Sequence, residues 1–221
     1  MKVGKEINLM ASYPKTKRDP SKRAVSKTLE DQLTARRFGE EFFDGKRSTG
    51  YGGYTYSPRF WSPVVPDFQR HFKIKSGHSI LDVGCGKGFM LHDFNEAIPG
   101  LEVIGIDISE YAISKGHPPV KEYLNVGDAR SLPFKDMSID FTISITTLHN
   151  LERDDCIIAL REIQRVTRKG AFITVDAYRN DEEKKTMEEW NLTALTVLHV
   201  DEWKDLFEEA GYTGDYYWFM P

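Results

Sequence analysis

Apolar positions are sparse in the first quarter of the chain and then gather into short unbroken runs separated by amphipathic stretches. Residues 26–44 space Leu29, Leu33 and Phe38 at helical intervals. A loop rich in Gly, Tyr and Pro follows, and "VPDFQRHFKI" (65–74) reads as a helix started near Pro66. From residue 78 the pattern changes. "HSILDVG" (78–84), "LEVIGIDI" (101–108), "VKEYLNVGD" (120–128), "IDFTISITT" (139–147), "GAFITVDAY" (170–178) and "YTGDYYWFMP" (212–221) read as six strands. Between them lie helical patterns at 89–98, at 109–116 with Ser109 as N-cap, at 152–168, at 181–196 and at 200–211, the last stopped by Gly211. In the long one, Cys156, Leu160, Ile163 and Val166 share a face. Strands that are continuously apolar, alternating with helices, imply a parallel sheet covered on both sides. The expected fold is an open, doubly wound α/β domain over residues 66–221, preceded by an arm and helical lid over residues 1–65.

Composition narrows the class. The chain has 221 residues, 40% hydrophobic and 29% charged, with no apolar run long enough to cross a bilayer. No secretory signal is visible at the start, so a cytoplasmic location is expected. The two cysteines, Cys85 and Cys156, provide neither a disulfide framework nor a metal cluster. The net charge of −4 conceals an asymmetry: residues 1–40 hold ten Lys/Arg against five Asp/Glu, so the remainder carries −9. A basic arm can serve RNA or a membrane surface, but only Tyr13 interleaves with these cations, and a solvated, poorly ordered lead-in over residues 1–25 is the plainer expectation.

The chemistry centres on "LDVGCGKGF" (81–89), where a buried strand breaks into three glycines at alternate positions. A dinucleotide loop would place glycine at position 89, which is Phe, and the Gly-Lys-Ser/Thr of a phosphate loop is missing. A tight turn without a ligand would use the same residues. Two further acids decide between these readings. Asp107 ends the second strand, where it can accept from both hydroxyls of a ribose. Asp128 follows the third, where it can take an adenine amino group while the Ala129 N–H meets a ring nitrogen. Each acid alone is more often a cap or turn residue. Together they outline a pocket for an adenosine without phosphates.

"ILDVGCGKG", "VIGIDIS", "VGDARSLPF" and "FTISITTLHNL" resemble the successive motifs of class I S-adenosylmethionine (SAM)-dependent methyltransferases, over about residues 66–212. The resemblance implies a mostly parallel Rossmann-like sheet of seven strands, with SAM as cofactor and S-adenosylhomocysteine as product. It places Asp82 and the loop Gly84–Cys85–Gly86 at the methionine part, Asp107 and Ile108 at the ribose and adjoining adenine edge, Asp128 and Ala129 at the adenine, and Thr146 near the methionine end. In one respect the chain departs from the family: only one strand follows the last helix, where an antiparallel hairpin is usual. Six to seven strands are therefore expected, six if the edge is left open or finished by a partner or by the N-terminal segment, and an exposed edge would invite a homodimer.

SAM carries the reactive methyl group, so the protein's work is alignment, with a general base where the acceptor is a hydroxyl. Candidate catalytic residues are His149, at the rim after the fourth strand, and Asp176, after the fifth; an orienting role for the first and a helix cap for the second are the simpler uses. Acceptor-binding candidates are Tyr51, Tyr54, Arg59 and Trp61 of "GYGGYTYSPRFW" (50–61), with Asn150, Tyr178 and His199. That segment could equally be a lid packed by its aromatics. The expected reaction is methyl transfer to an O or N atom of a small polar, anionic or sugar-related acceptor. RNA or protein methylation through the basic arm, and a non-catalytic SAM-binding regulator, are the alternatives.

Overall fold

The computed structural model describes residues 2–15, 21 and 27–221. Residues 16–20 and 22–26, which carry much of the basic arm, lie outside the described residues. The strands are β1 (Ser79–Val83), β2 (Glu102–Asp107), β3 (Leu124–Val126), β4 (Ile139–Ile145), β5 (Thr167–Tyr178), β6 (Leu198–His199) and β7 (Asp215–Phe219). They form one sheet in the order β3-β2-β1-β4-β5-β6, with β7 also on β5. All pairings are parallel. The order turns outward in both directions from β1 and β4, and the crevice beyond their carboxyl ends is where such sheets bind ligands.

Seven strands are present, within the expected six to seven. The additional one, β6, has two residues, too few to leave a periodic signal. It pairs with Ala177 and Tyr178, just beyond the stretch Phe172–Asp176 that pairs with β7. The helix between them returns the chain to the start of the sheet, which is why β7 is parallel and the closing antiparallel hairpin is absent among the described residues. The edge of β7 is finished by the N-terminal segment: Tyr216 N–H donates to Lys5 O (3.0 Å) and Ile7 N–H to Tyr216 O (2.9 Å). The expectation of a poorly ordered lead-in is thereby corrected for residues 2–15. Val3 packs on one core layer and Ile7, Leu9 and Met10 on the other. The edge that suggested a dimer is already paired.

The helices are α1 (Leu29–Ala35), α2 (Glu40–Phe43), α3 (Pro58–Trp61), α4 (Val65–Phe72), α5 (Phe89–Ala97), α6 (Glu110–Ser114), α7 (Arg153–Val166), α8 (Asp181–Trp190) and α9 (Val200–Ala210). Cys156, Leu160, Ile163 and Val166 of α7 are fully buried and form one core layer with α9, around Trp203 and Phe207. The other layer packs Phe68 of α4 and Phe94 of α5 on the opposite sheet face. Ser109 caps α6 through Ala112 N–H, and Gly211 ends α9 at φ +71°. α8 stops at Trp190, short of residue 196, because Asn191 turns its side-chain amide onto Ala194.

The helix expected over 26–44 is two pieces. Phe38 (φ +49°) and Gly39 break it, and Leu29 and Leu33 remain 69% and 54% exposed. Ala35 and Phe43 are the buried positions instead. The break lays residues 36–44 across the carboxyl ends of the strands. On one side Lys27 Nζ donates to the carbonyls of Glu188, Glu189 and Asn191, and Arg36 Nε to Thr193 O. On the other, Ser109 Oγ donates to Phe38 O and Lys87 Nζ to both oxygens of Asp44 (2.8 and 2.7 Å).

Candidate cofactor and acceptor site

The glycine loop leaves β1 with Gly84 at φ +88° and Gly86 at φ +56°. A Cβ on Gly84 would sit 2.1 Å from Thr147 Oγ1, so only glycine fits between the loop and the end of β4. The turn opens a cavity of about 340 Å³ roofed by Phe38, Phe43 and Tyr54 of the lid. Asp82, Gly84, Cys85, Gly86, Asp107, Ile108, Asp128, Ala129 and Thr146 all line it. Residues assigned from four separate motifs are thus brought to one place.

Each acid has a definite setting. Asp107 accepts from Gly86 N–H at Oδ2 (2.7 Å) and from Ser109 N–H at Oδ1 (2.8 Å), which fixes its carboxylate beside the loop and leaves further lone pairs for a ribose. Burial raises its pKa against the pull of these two amides. Asp82 is 5% exposed, and burial, aided by the charge of Asp107, pushes it up to about 8. Asp128 differs from its expected role. Arg130 forks onto both of its oxygens (2.6–3.0 Å) and reaches Asp155 as well (2.7 Å), and the Arg130 hydrogen bonds hold Asp128 below the usual carboxylate range. An adenine amino group would have to share Asp128 with this guanidinium.

Thr146 is a non-glycine residue at φ +51°, held there by Thr174, whose O and Oγ1 both accept from its N–H (3.0 and 2.8 Å). Strain of this kind gathers at functional positions. Thr146 also lines a second, larger cavity of about 1140 Å³. Tyr51, Tyr54, Trp61, Thr146 and Asn150 belong to both cavities, so they form the passage between them. The Tyr51 and Tyr54 rings are stacked 4.4 Å apart in that partition.

The floor of the larger cavity is the sheet. Thr174 and Asp176 of β5 stand in register with Tyr217 and Phe219 of β7, and all four line it. Arg59 and His149 are on its walls. His149 is 4% exposed and its Nδ1 accepts the Asp176 N–H (2.9 Å), so the neutral ring carries its proton on Nε2. Burial lowers its pKa, opposed by the Asp176 carboxylate, 3.3 Å from Nδ1. This arrangement suits a hydrogen-bond donor better than the base expected from sequence. Asp176, 6% exposed, is the carboxylate of this cavity.

Tyr178 and His199 fall outside both cavities. Their rings contact each other (5.7 Å), and His199 instead caps α9, accepting from Asp201 N–H in a capping box with Glu202. The lid clamp was missed from sequence. Asp44 takes Lys87 Nζ, Tyr54 N–H and Tyr111 O–H, and Lys87 is 6% exposed. A lysine inside a buried glycine loop was its one local signal; its partner is 43 residues away.

A doubly wound sheet with acids at the ends of β1 and β2 around an adenosine-sized cavity defines a nucleoside-cofactor enzyme of the Rossmann-like class. A family model described as a methyltransferase domain matches residues 74–211, more than half of the chain, and the protein belongs to that family. The chain is 34% identical over 132 residues to a tRNA (carboxymethyluridine(34)-5-O)-methyltransferase of Arabidopsis thaliana, covering 59% of this chain and 31% of the relative. It is 35% identical over 108 residues to a demethylmenaquinone methyltransferase of Staphylococcus carnosus, covering 47% and 44%. The matches thus span less than half the length of these curated relatives. Two solved structures share the fold. A SAM-dependent methyltransferase from Aquifex aeolicus has a TM-score of 0.50 at 21% identity, over 88% of this chain and 89% of that one. Haemonchus contortus phosphoethanolamine N-methyltransferase 2, in complex with phosphomonomethylethanolamine and S-adenosylhomocysteine, has a TM-score of 0.59 at 18% identity, over 81% and 44%.

Proposed function

We propose that this chain is a SAM-dependent methyltransferase that acts on an O or N atom of a small polar acceptor seated in the larger cavity. One observation carries the reading: that cavity adjoins the adenosine-sized one at a boundary that includes Thr146 and Asn150, and a buried carboxylate lines it. In this reading residues 66–221 are the catalytic domain and residues 1–65 its arm and lid, working in the cytoplasm. The residues present suit SAM. Asp82 meets the ammonium of the methionine part, the Gly84–Gly86 turn admits its backbone, and Asp107 takes the ribose. When bound, SAM supplies a methyl on a positively charged sulfur, which leaves as a neutral thioether. The chain's own contribution is to hold the acceptor in line at Thr146, to let Asp176 receive the acceptor's proton, and to exclude water beneath Tyr51 and Tyr54. His149 donates from Nε2 and orients.

The test is transfer of labelled methyl from SAM into a cell extract separated into small-molecule, protein and RNA fractions, with Asp107→Ala as the cofactor-blind control. Control-sensitive label among small molecules is expected. Label in RNA would replace this reading with the one that the Arabidopsis relative's name suggests. SAM binding without label in any fraction would favour a regulatory protein.

A further inference from the structure

The lining of the larger cavity holds two chemically different sets of groups. Next to Thr146 are Asp176 and Asn150, whose buried Oδ1 has no hydrogen-bond partner. Such an oxygen calls for a donor, and an acceptor's hydroxyl or amine is one. Another part of the lining is aromatic and cationic. Arg59 lies over the Phe60 ring (4.5 Å), Tyr13 packs edge-on against Trp61 (5.0 Å), and Lys15 is beside them. Of the cations that line this cavity, Arg47 is spent on the carbonyls of Gly50 and Tyr51, and Arg179 on Glu183 and Glu6. Lys15 and Arg59 have no carboxylate partner among the described residues. Among the described residues, Asp176 is the one Asp or Glu side chain that lines the cavity.

We propose that the acceptor is a ring-bearing anion: a flat unsaturated ring system with a carboxylate or phosphate on one side and the group to be methylated on the other. This rests on the methyl-transfer reading above and names its substrate class. The ring stacks against Trp61 and Phe219, the charge pairs with Lys15 and Arg59, and the O–H or N–H meets Asn150 and Asp176. The volume, about 1140 Å³, exceeds what a single ring needs, so a bicyclic acid or a nucleotide-linked group fits. A bare uncharged sugar does not: its hydroxyls would face rings, and the two cations would have no counter-charge.

The experiment titrates the full chain, saturated with S-adenosylhomocysteine, with four probes: 1-hydroxy-2-naphthoate, uridine diphosphate, 1-naphthol and glucuronate. At least one of the first two should bind about tenfold more tightly than either of the last two, the loss of one charge pair or of the ring corresponding to that factor. Which of the two binds separates a carboxylate from a phosphate source. Arg59→Ala and Lys15→Ala should each weaken it about fivefold to tenfold, leaving S-adenosylhomocysteine affinity unchanged. The proposal is overturned if naphthol or glucuronate binds as tightly, if the two variants change nothing, or if no probe saturates while S-adenosylhomocysteine does. Failure of the methyltransferase reading would show itself separately, as failure of S-adenosylhomocysteine to bind.

Discussion

Two carboxylates at the ends of neighbouring strands, Asp82 and Asp107, are both buried and both have raised pKa values. With Asp82 at about 8, the unliganded protein holds a proton there at pH 7. The fold favours that protonated form, so this group's contribution to stability declines as pH rises from about 4 to about 8. A bound methionine ammonium reverses the preference. Calorimetric titration of SAM at pH 7, in buffers of different ionisation heat, should therefore show release of close to one proton, and affinity should rise between pH 6 and 8. Proton uptake, or a flat profile, would mean that Asp82 does not face the ammonium. Asp107 was legible in the sequence because it stands in a series of acids at the ends of successive apolar strands, each of which alone is more often a cap or turn residue. The tautomer of His149 was not, since it depends on the Asp176 N–H that β5 brings to the ring, while the Arg130 fork on Asp128, two residues apart, is a local contact that the motif reading passed over.

At the scale of elements, the lid is a strap held at two ends, and its inner clasp is the Lys87–Asp44 pair within the glycine loop's own turn. Asp44 stays below the ordinary carboxylate range, burial being outweighed by hydrogen bonds from Lys87, Tyr54 and Tyr111. Lys87→Met removes a charge-assisted pair of the kind that contributes about 1.5–3 kcal/mol. The expected result is roughly tenfold to hundredfold faster SAM dissociation in stopped flow, with the circular dichroism of the fold retained. Unchanged dissociation would show that the strap does not gate the cofactor. Helix spacing misjudged this region: the apolar interval of Leu29, Leu33 and Phe38 promised one buried face, yet two of the three are exposed. The chain breaks at Phe38 because its carbonyl is captured by Ser109 on α6, a contact invisible to local periodicity.

For the whole molecule, the N-terminal segment is structural. Lys5–Ile7 extends the sheet beside β7 and Leu9 is buried to 4%. Deleting residues 2–10 uncovers a strand edge and about 2 kcal/mol of apolar burial at Leu9 alone. It should lower the melting temperature by several degrees and produce concentration-dependent association in sedimentation; a monomer with unchanged melting would contradict this role. Read alone, the sequence determined the parallel α/β class, the glycine turn, the strand-end positions of Asp82 and Asp107 and the buried face of α7, because each follows from contacts between near neighbours or from side-chain periodicity within one element. Only the tertiary structure decided the two-residue β6, the parallel return of β7, the pairing of residues 5–7, the lid clasp and the passage between the cavities. Those features arise between residues tens to hundreds of positions apart, where no local pattern records the partner.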